Sequence, residues 1–251
     1  VLSRWSRAAT LAAWDGPAGL RAVAAFDLPF SPREAVVLPG EPGAIVVADA
    51  FGGRLALVAP DATSPDGFLR RAWSLPDHNL RGLAVSPDGR SVAVLAQNAT
   101  STARTSRDDV EWGLLIRSWI RLLPVEALRD AGTTDEDLAG RSRTVPLGVV
   151  GKGSADPSAL AFGPAGEMVV VLAGVDEVAS ALAPGEPYER FKVGRAPSAL
   201  ALSADARTAY VAEAFSDAIT ILDLDAGKVA GVVPLFADAP PDGRRRPESL
   251  L

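Results

Sequence analysis

The sequence predicts an all-β chain built from repeated four-stranded antiparallel units. Three observations carry that reading. An apolar segment recurs four times, each copy breaks at a tight turn, and two further apolar runs follow it. The clearest copy is "SALALSADARTAYVAEAFSDAITILDLDAGKVAGVVPLF", residues 198 to 236. Leu200 aligns with Leu160 of "SALAFGPAGEMVVVLAGV", Leu83 of "RGLAVSPDGRSVAVLAQN" and Val36 of "EAVVLPGEPGAIVVADAF".

Each copy reads as a strand, a turn rich in Pro, Asp or Gly, and a second strand. At Ser86-Pro87-Asp88-Gly89 the proline presets φ and the glycine accepts a positive φ. The last copy continues into "AITILDLDAG" and "VAGVVPLF", the first into "RLALVAPDA" and "FLRRAWSLP". Four strands at a period of about 40 residues are the pattern of a β-propeller blade. A solenoid is the rival fold, but its repeats are shorter or helical. Long helical patterns between strands are absent, which disfavours a parallel βαβ sheet.

The spacing is uneven. Val36 to Leu83 is 47 residues, Leu83 to Leu160 is 77, and Leu160 to Leu200 is 40. The second blade therefore carries an insertion. It supplies two pieces, the loop "ATSTARTSRDDVEWG" and the stretch 124–140, "PVEALRDAGTTDEDLAG". In the second piece "VEAL" suits one helical turn, and Asp135-Glu136-Asp137 reads as a solvated loop. Trp112 is expected to begin a long apolar strand, "WGLLIRSWIRLLPV". The opening "RAATLAAWDGPAGLRAVAAFDLP" matches only the outer half of a blade. The predicted division is a partial blade at 5–31, blades at 32–76, 77–148, 149–194 and 195–236, and a linker tail at 237–251. These about four and a half blades are expected to be part of a larger, seven-bladed propeller.

The repeat resembles the YVTN-type β-propeller repeat of bacterial and archaeal surface and secreted proteins, and it does so over nearly the whole chain. Tyr210-Val211-Ala212-Glu213 stands where that family has its namesake tetrapeptide, and the third and fourth letters differ. "HNLRGLAVSPDGRSVAVLAQN" with "TSRDDVEWGLL" resembles propeller halves of bacterial proteins that continue into a di-haem cytochrome c peroxidase-like domain. The ending "RRRPESLL" resembles the linker into such a domain. The resemblance implies a periplasmic or extracellular bacterial protein. It also implies haem ligands beyond Leu251, so that haem belongs to a downstream domain and no cofactor to this chain. The expected partner is that haem domain, in the same polypeptide or another protein.

Composition excludes several classes. The net charge of −6 argues against nucleic acid, whose phosphates need clustered positive charge. Arg244-Arg245-Arg246 is the basic cluster, in a Pro-rich tail, and reads as solvated linker. There are no cysteines, hence no disulfides, thiolate metal sites or C-x-x-C-H haem attachment. No apolar run reaches the roughly 18 residues of a membrane helix. The chain opens on Val1 without a basic-then-apolar signal segment. The lysines are Lys152, Lys192 and Lys228 against many arginines, a bias of high-GC bacterial genomes. "GKGSADPS" lacks P-loop spacing and precedes a strand.

Candidate function lies on one rim. In a blade, the loop leading into the innermost strand and the loop between strands two and three share a face. That places His78, Asn79 and Arg81 with Gln97, Asn98 and the insertion residues Asp108, Asp109, Glu111 and Trp112. A carboxylate within reach of His78 would favour the charged imidazole. The column ending strand two reads Asp49, Ala96, Ala173 and Glu213, so two blades offer a rim carboxylate. Each residue also has a plain role. His78 is the only histidine and suits loop hydrogen bonding, and zinc needs further His or Cys. Asp49 and Glu213 suit bonds to their own turns, Asp108-Asp109 a solvated pair, and Trp112 a core position. The reading is a non-catalytic binding or scaffold module that presents a partner or substrate to the haem domain. The alternatives are a lactonase-like hydrolase or lyase using rim carboxylates and a metal, and a surface-layer adhesion module.

Overall fold

The computed structural model describes residues 1–40, 43–61, 68–111, 113–149 and 151–236. The predicted tail 237–251, with Arg244, Arg245 and Arg246, lies outside the described residues, as does Trp112. The first sheet joins β1 (Leu2–Ser3), β2 (Ala8–Trp14) and β3 (Leu20–Asp27). Four sheets of four strands follow. One holds β4 (Pro32–Val37), β5 (Ile45–Asp49), β6 (Arg54–Pro60) and β7 (Phe68–Ser74). The next holds β8 (His78–Val85), β9 (Ser91–Ala99), β10 (Ile116–Pro124) and β11 (Arg143–Pro146). Then come β12 (Pro157–Phe162), β13 (Met168–Leu172), β14 (Glu177–Ala181) and β15 (Glu189–Lys192). The last holds β16 (Pro197–Leu202), β17 (Thr208–Glu213), β18 (Ala218–Asp223) and β19 (Lys228–Pro234). In every sheet the strands are antiparallel and lie side by side in chain order. The chain is a β-propeller.

Strand alternation builds the core. Side chains along a strand point to opposite faces. In β5, Val46 and Ala48 face the second whole blade and join Val92, Val94 and Leu128. Val47, between them, faces the first sheet and joins Ala9, Phe26 and Phe30. In β9, Ala93 and Leu95 turn the other way, toward Met168 and Val170. In β13, Val169 and Val171 meet Ala209 and Val211. The second strand of each inner blade is therefore apolar at consecutive positions, because both of its faces are covered.

The two inserted pieces of the second whole blade are more structured than the sequence suggests. α1 (Arg107–Glu111) lies between β9 and β10, so the apolar strand begins at Ile116. α2 (Val125–Arg129) is the single turn expected of "VEAL". Asp135-Glu136-Asp137 is not a loop but the first turn of α3 (Asp135–Arg141). Thr134 caps it: the Asp137 N–H donates to Thr134 Oγ1 at 3.1 Å, and the Thr134 N–H returns a bond to Asp137 Oδ2 at 3.0 Å. The Thr134 hydroxyl and N–H hold the Asp137 carboxyl below its ordinary range. Three acidic residues there also suit the helix dipole. Both helices pack inward through Leu128 and Leu138, which are fully buried. They also dock onto β7. Trp73 Nε1 donates to Thr133 O at 3.0 Å, Arg71 Nη1 to Arg129 O at 2.7 Å, and the Ser74 N–H to Asp135 Oδ1 at 3.1 Å.

The two flanking sheets differ from the inner ones. Trp5, Leu11, Trp14, Leu20 and Val23 are exposed on the first, and Tyr210, Val229, Val232 and Val233 on the last. Exposed apolar area on this scale favours association. We predict that the chain self-associates through these sheets. Sedimentation mass should rise with concentration, and Trp14→Glu combined with Val232→Glu should return it to monomer. A wild-type chain that stays monomeric at every concentration rules this out.

Candidate functional site

The rim forms where β8 begins and β9 ends. His78 pairs with Gln97 across the two strands. The connection from β9 to β10 leaves two residues later and contains α1. His78, Asn98 and the Asp108–Glu111 segment therefore stand at the same end of the blade. Among the described side chains neither Asp108 nor Asp109 pairs with His78, and the Glu111 side chain lies outside the described ones. Asp109 Oδ2 accepts the Arg104 N–H at 2.8 Å, closing its own loop. Asn98 Nδ2 donates to Pro76 O at 2.8 Å and pins the segment that leads into β8. His78 is half-buried.

What the rim does assemble is a polar chain across two blades. Gln97 Nε2 donates to Ser118 Oγ at 3.4 Å. Asn79 Nδ2 donates to Gln97 Oε1 at 2.6 Å. Arg81 Nε donates to Asn79 Oδ1 at 3.0 Å, and Arg81 Nη1 reaches Asp156 Oδ1 of the next blade at 2.6 Å. The backbone explains the placement. Asn79, Asp156 and Ala196 each precede the buried residue that anchors an innermost strand, and each has a positive φ, 54°, 47° and 50°. Asn and Asp tolerate that conformation because their short side chains bond locally. At Ala196 the compensation comes from outside: its N–H donates to Asp176 Oδ1 at 2.8 Å.

Of the two rim carboxylates, Asp49 bonds its own turn as expected, whereas Glu213 bonds the segment that leads into β16 and the neighbouring β18. Asp49 is buried, and its Oδ1 accepts the Phe51 N–H at 3.1 Å while Oδ2 lies 3.5 Å from Arg54 Nε. Glu213 is buried too, and its Oε1 accepts the Gly194 N–H at 2.7 Å together with the Thr220 hydroxyl. A side chain at Gly194 would collide with the Glu213 carboxylate, so the glycine is what lets the carboxylate fold onto the backbone. The column itself shifts by one in the third whole blade. The turn closed by the Gly163 N–H and Glu167 O is one residue shorter than that closed by Ser203 and Thr208, so Leu172 rather than Ala173 ends strand two beside Glu213's position. Among the described residues no three His, Asp or Glu side chains gather closely enough to hold a metal ion.

Two further ionic clusters escape sequence reading. Asp77, one residue before His78, is buried and bidentate with buried Arg121 of β10: Nε to Oδ2 is 2.5 Å and Nη2 to Oδ1 is 3.2 Å. Trp119 Nε1 adds a bond to Asp77 Oδ1 at 3.2 Å, and Arg121 Nη1 donates to Ser142 Oγ at 2.5 Å. The signal was an arginine at an inward position of an apolar strand, "IRSWIRLLP", which demands a buried acid. The second cluster joins Glu177 to Arg190 at 3.1 Å and to Lys192 at 3.0 Å. Burial works against the Glu177 carboxylate, but the Lys192 and Arg190 hydrogen bonds outweigh it and hold its pKa below the ordinary range.

No family model matches the chain, and no curated protein matches it. Solved structures do. A functionally unknown protein from Desulfotomaculum acetoxidans is 13% identical with a TM-score of 0.64, covering 94% of this chain and 65% of that one. Virginiamycin B lyase from Staphylococcus aureus is 13% identical with a TM-score of 0.59, covering 95% and 66%. Dihydro-heme d1 dehydrogenase NirN is 19% identical with a TM-score of 0.58, covering 96% and 44%. At these identities the likeness is one of fold. The chain spans less than two thirds of the length of each of these three proteins.

Two stability predictions follow from the ionic clusters. Asp77→Ala leaves the Arg121 guanidinium buried and unpaired, which should cost about 3–5 kcal/mol in urea unfolding. A loss no larger than that of an exposed pair would place Arg121 in water. Glu177→Gln should destabilise the chain at neutral pH. Because the folded pKa is depressed, that stability is full above the unfolded value of 4.5 and disappears as pH falls through the folded value. The gap between the two unfolding curves should therefore close in acid, and a gap that widens there contradicts the assignment.

Proposed function

We propose that this chain is a non-catalytic β-propeller of the YVTN type, acting as a binding or scaffold module at its blade rim. The observation that carries the reading is the polar chain Ser118–Gln97–Asn79–Arg81–Asp156, which spans two blades and fixes a surface rather than a reaction centre. Beside it stand His78 and the α1 loop, which give that surface an edge. In this reading the rim docks a cytochrome c peroxidase-like haem domain, or presents a substrate to it, outside the cytoplasm of a bacterium. The resemblance of the 78–98 segment and of the chain's last residues to such fusions supports the partner. The dihydro-heme d1 dehydrogenase fold, a propeller in a haem-related protein, is consistent with it.

The rival reading, a metal-dependent lyase or hydrolase, draws on the lyase folds among the similar structures. It requires free rim carboxylates. Both Asp49 oxygens face Phe51 and Arg54, Glu213 Oε1 is taken by Gly194 and Thr220, and the two carboxylates belong to different blades. That weakens it. A surface-layer adhesion module is the third reading, and the exposed apolar sheets favour it only if further repeats accompany this chain.

The deciding experiment starts from the full reading frame. C-x-x-C-H motifs are expected downstream, and the haem domain they mark is then titrated against the propeller. His78→Ala with Asp109→Ala should weaken binding by about tenfold, near 1.4 kcal/mol, while the melting temperature stays put. Stoichiometric calcium or manganese required for activity overturns the scaffold reading. So does a frame with no haem motif.

A further inference from the structure

A short rim turn repeats from sheet to sheet. It runs over residues 4–7, 50–53, 173–176 and 214–217, between β1 and β2, β5 and β6, β13 and β14, and β17 and β18. The backbone repeats as well. The last residue is left-handed in three of these turns, with Arg7 at φ 53°, Asp176 at 54° and Asp217 at 48°. The second residue is therefore the same tip each time, and it is Trp5, Phe51, Gly174 and Phe215. The three aromatic tips are 86%, 63% and 64% exposed. One exposed ring needs no explanation, but the same tip filled three times on one rim does.

A cavity of about 320 Å³ opens where the first two of these turns meet, between the first sheet and the first complete blade. Arg7, Ser31, Phe51, Arg54 and Ser74 line it together with buried Asp49. Arg54 is held in place from two sides. Its Nε faces Asp49 Oδ2 at 3.5 Å, and its Cζ lies over the ring of buried Phe30 at 5.6 Å. Those contacts set the plane of the guanidinium and leave its two terminal nitrogens for a ligand. Arg7 is exposed and pairs with no acid among the described residues. It also holds a left-handed backbone that Asp reaches more readily than Arg. Two guanidiniums against one carboxylate make the cavity positive in a chain of net charge −6. The turn that carries Phe51 is fixed. The Phe51 N–H donates to Asp49 Oδ1 at 3.1 Å, and Gly53 O accepts the Leu75 N–H at 2.9 Å.

We propose that this cavity binds an acidic sugar, a uronate, with its carboxylate between Arg7 and Arg54 and its ring face against Phe51. A planar guanidinium matches a carboxylate in two-point geometry. The Ser31 and Ser74 hydroxyls in the same lining suit the hydroxyls of a sugar. An aromatic acid fits less well, because it needs apolar walls on both faces of its ring. Phe30 is covered by Arg54, so Phe51 is the one ring of the lining that offers an apolar face. The volume lies at the lower end of small-molecule sites, which run from about 300 to 1,000 Å³. The ligand is therefore a single sugar unit, free or at the end of a chain. The site goes beyond the haem-domain reading and does not rest on it, since the cavity lies between other sheets than the polar chain.

Glucuronate, galacturonate, a galacturonate trimer, galactose and benzoate are titrated separately into the full chain at low salt, followed by calorimetry and by the amide shifts of residues 51–54. At least one uronate should bind saturably, about tenfold or more tighter than galactose, as expected of a charge-assisted hydrogen bond. Whether the trimer or the single sugar binds tighter tells a chain end from a free acid. Arg7→Gln should weaken that binding about tenfold and Phe51→Ala about fivefold. Both side chains are exposed, so the melting temperature should hold in each variant. Arg54→Lys, which keeps a charge beside Asp49 but loses the fork, should weaken binding as well. Phe215→Ala is the control, because that tip stands on the last sheet, and it should change nothing. Absence of saturable binding for every uronate overturns the proposal. So does galactose bound as tightly as the uronates, or benzoate bound more tightly. An equal loss in the Phe51 and Phe215 variants overturns it too.

Discussion

Everything in this chain depends on strands that are apolar on both faces. A strand in an open antiparallel sheet alternates apolar and polar residues, because one face meets water. β5, β9 and β13 do not alternate. Val46-Val47-Ala48, Val92 to Ala96 and Met168 to Leu172 are buried without interruption. Only a blade with a neighbour on each side can use such a strand. Small Val and Ala side chains let the sheets approach, and Gly82 shows how closely. A Cβ there would collide with the backbone of Ala159 and Leu160 in the next blade. The propeller form is thus a packing requirement of its second strands, and the rim is where those strands stop.

Where the strands stop, polar groups must be satisfied, and the chain does this in three ways. Left-handed residues turn the backbone into the innermost strand. Carboxylates accept backbone N–H groups, Asp49 from its own turn and Glu213 from the segment that leads into β16. Side-chain amides and arginines join neighbouring blades, as Asn79 and Arg81 do. The first two are stabilising devices that leave little to offer a ligand. The third produces a surface. This division separates the rim carboxylates, which look functional in sequence, from the arginines and amides, which carry the polar surface.

The repeated strands were legible because they are encoded locally. Period-2 patterning and turn residues lie within about ten residues of each other. The Ser86–Gly89 turn behaves as its residues require, with Gly89 at φ 69° and Asp88 Oδ1 accepting the Arg90 N–H at 3.0 Å. α3 was not legible, since Asp-Glu-Asp is equally a solvated loop until Thr134 is seen to cap it, and the partner at the third position is Asp rather than the more usual Glu or Gln. The Asp77–Arg121 pair joins residues 44 apart, on opposite sides of the insertion. Of the site, topology gave the shared rim of His78 and the α1 loop. It could not give the partners, because Asp109 has a backbone N–H five residues away and takes it before it can reach an imidazole.

The helical insertion has a consequence at the outer margin of the propeller. The outermost strand of any sheet shows a row of unpaired N–H and C=O groups, a ready template for another chain's strand. β7 is such a strand, and α2 and α3 lie beside it. The Asp135 carboxylate takes the Ser74 N–H, and the Trp73 indole and Arg71 guanidinium fasten the helical segment alongside. A strand arriving from outside would have to displace a carboxylate and dislodge two side chains before forming its first ladder bond. Inserted residues that contribute nothing to the repeat thereby act as a guard against fibre-like stacking, stationed on the outer edge of the first complete blade.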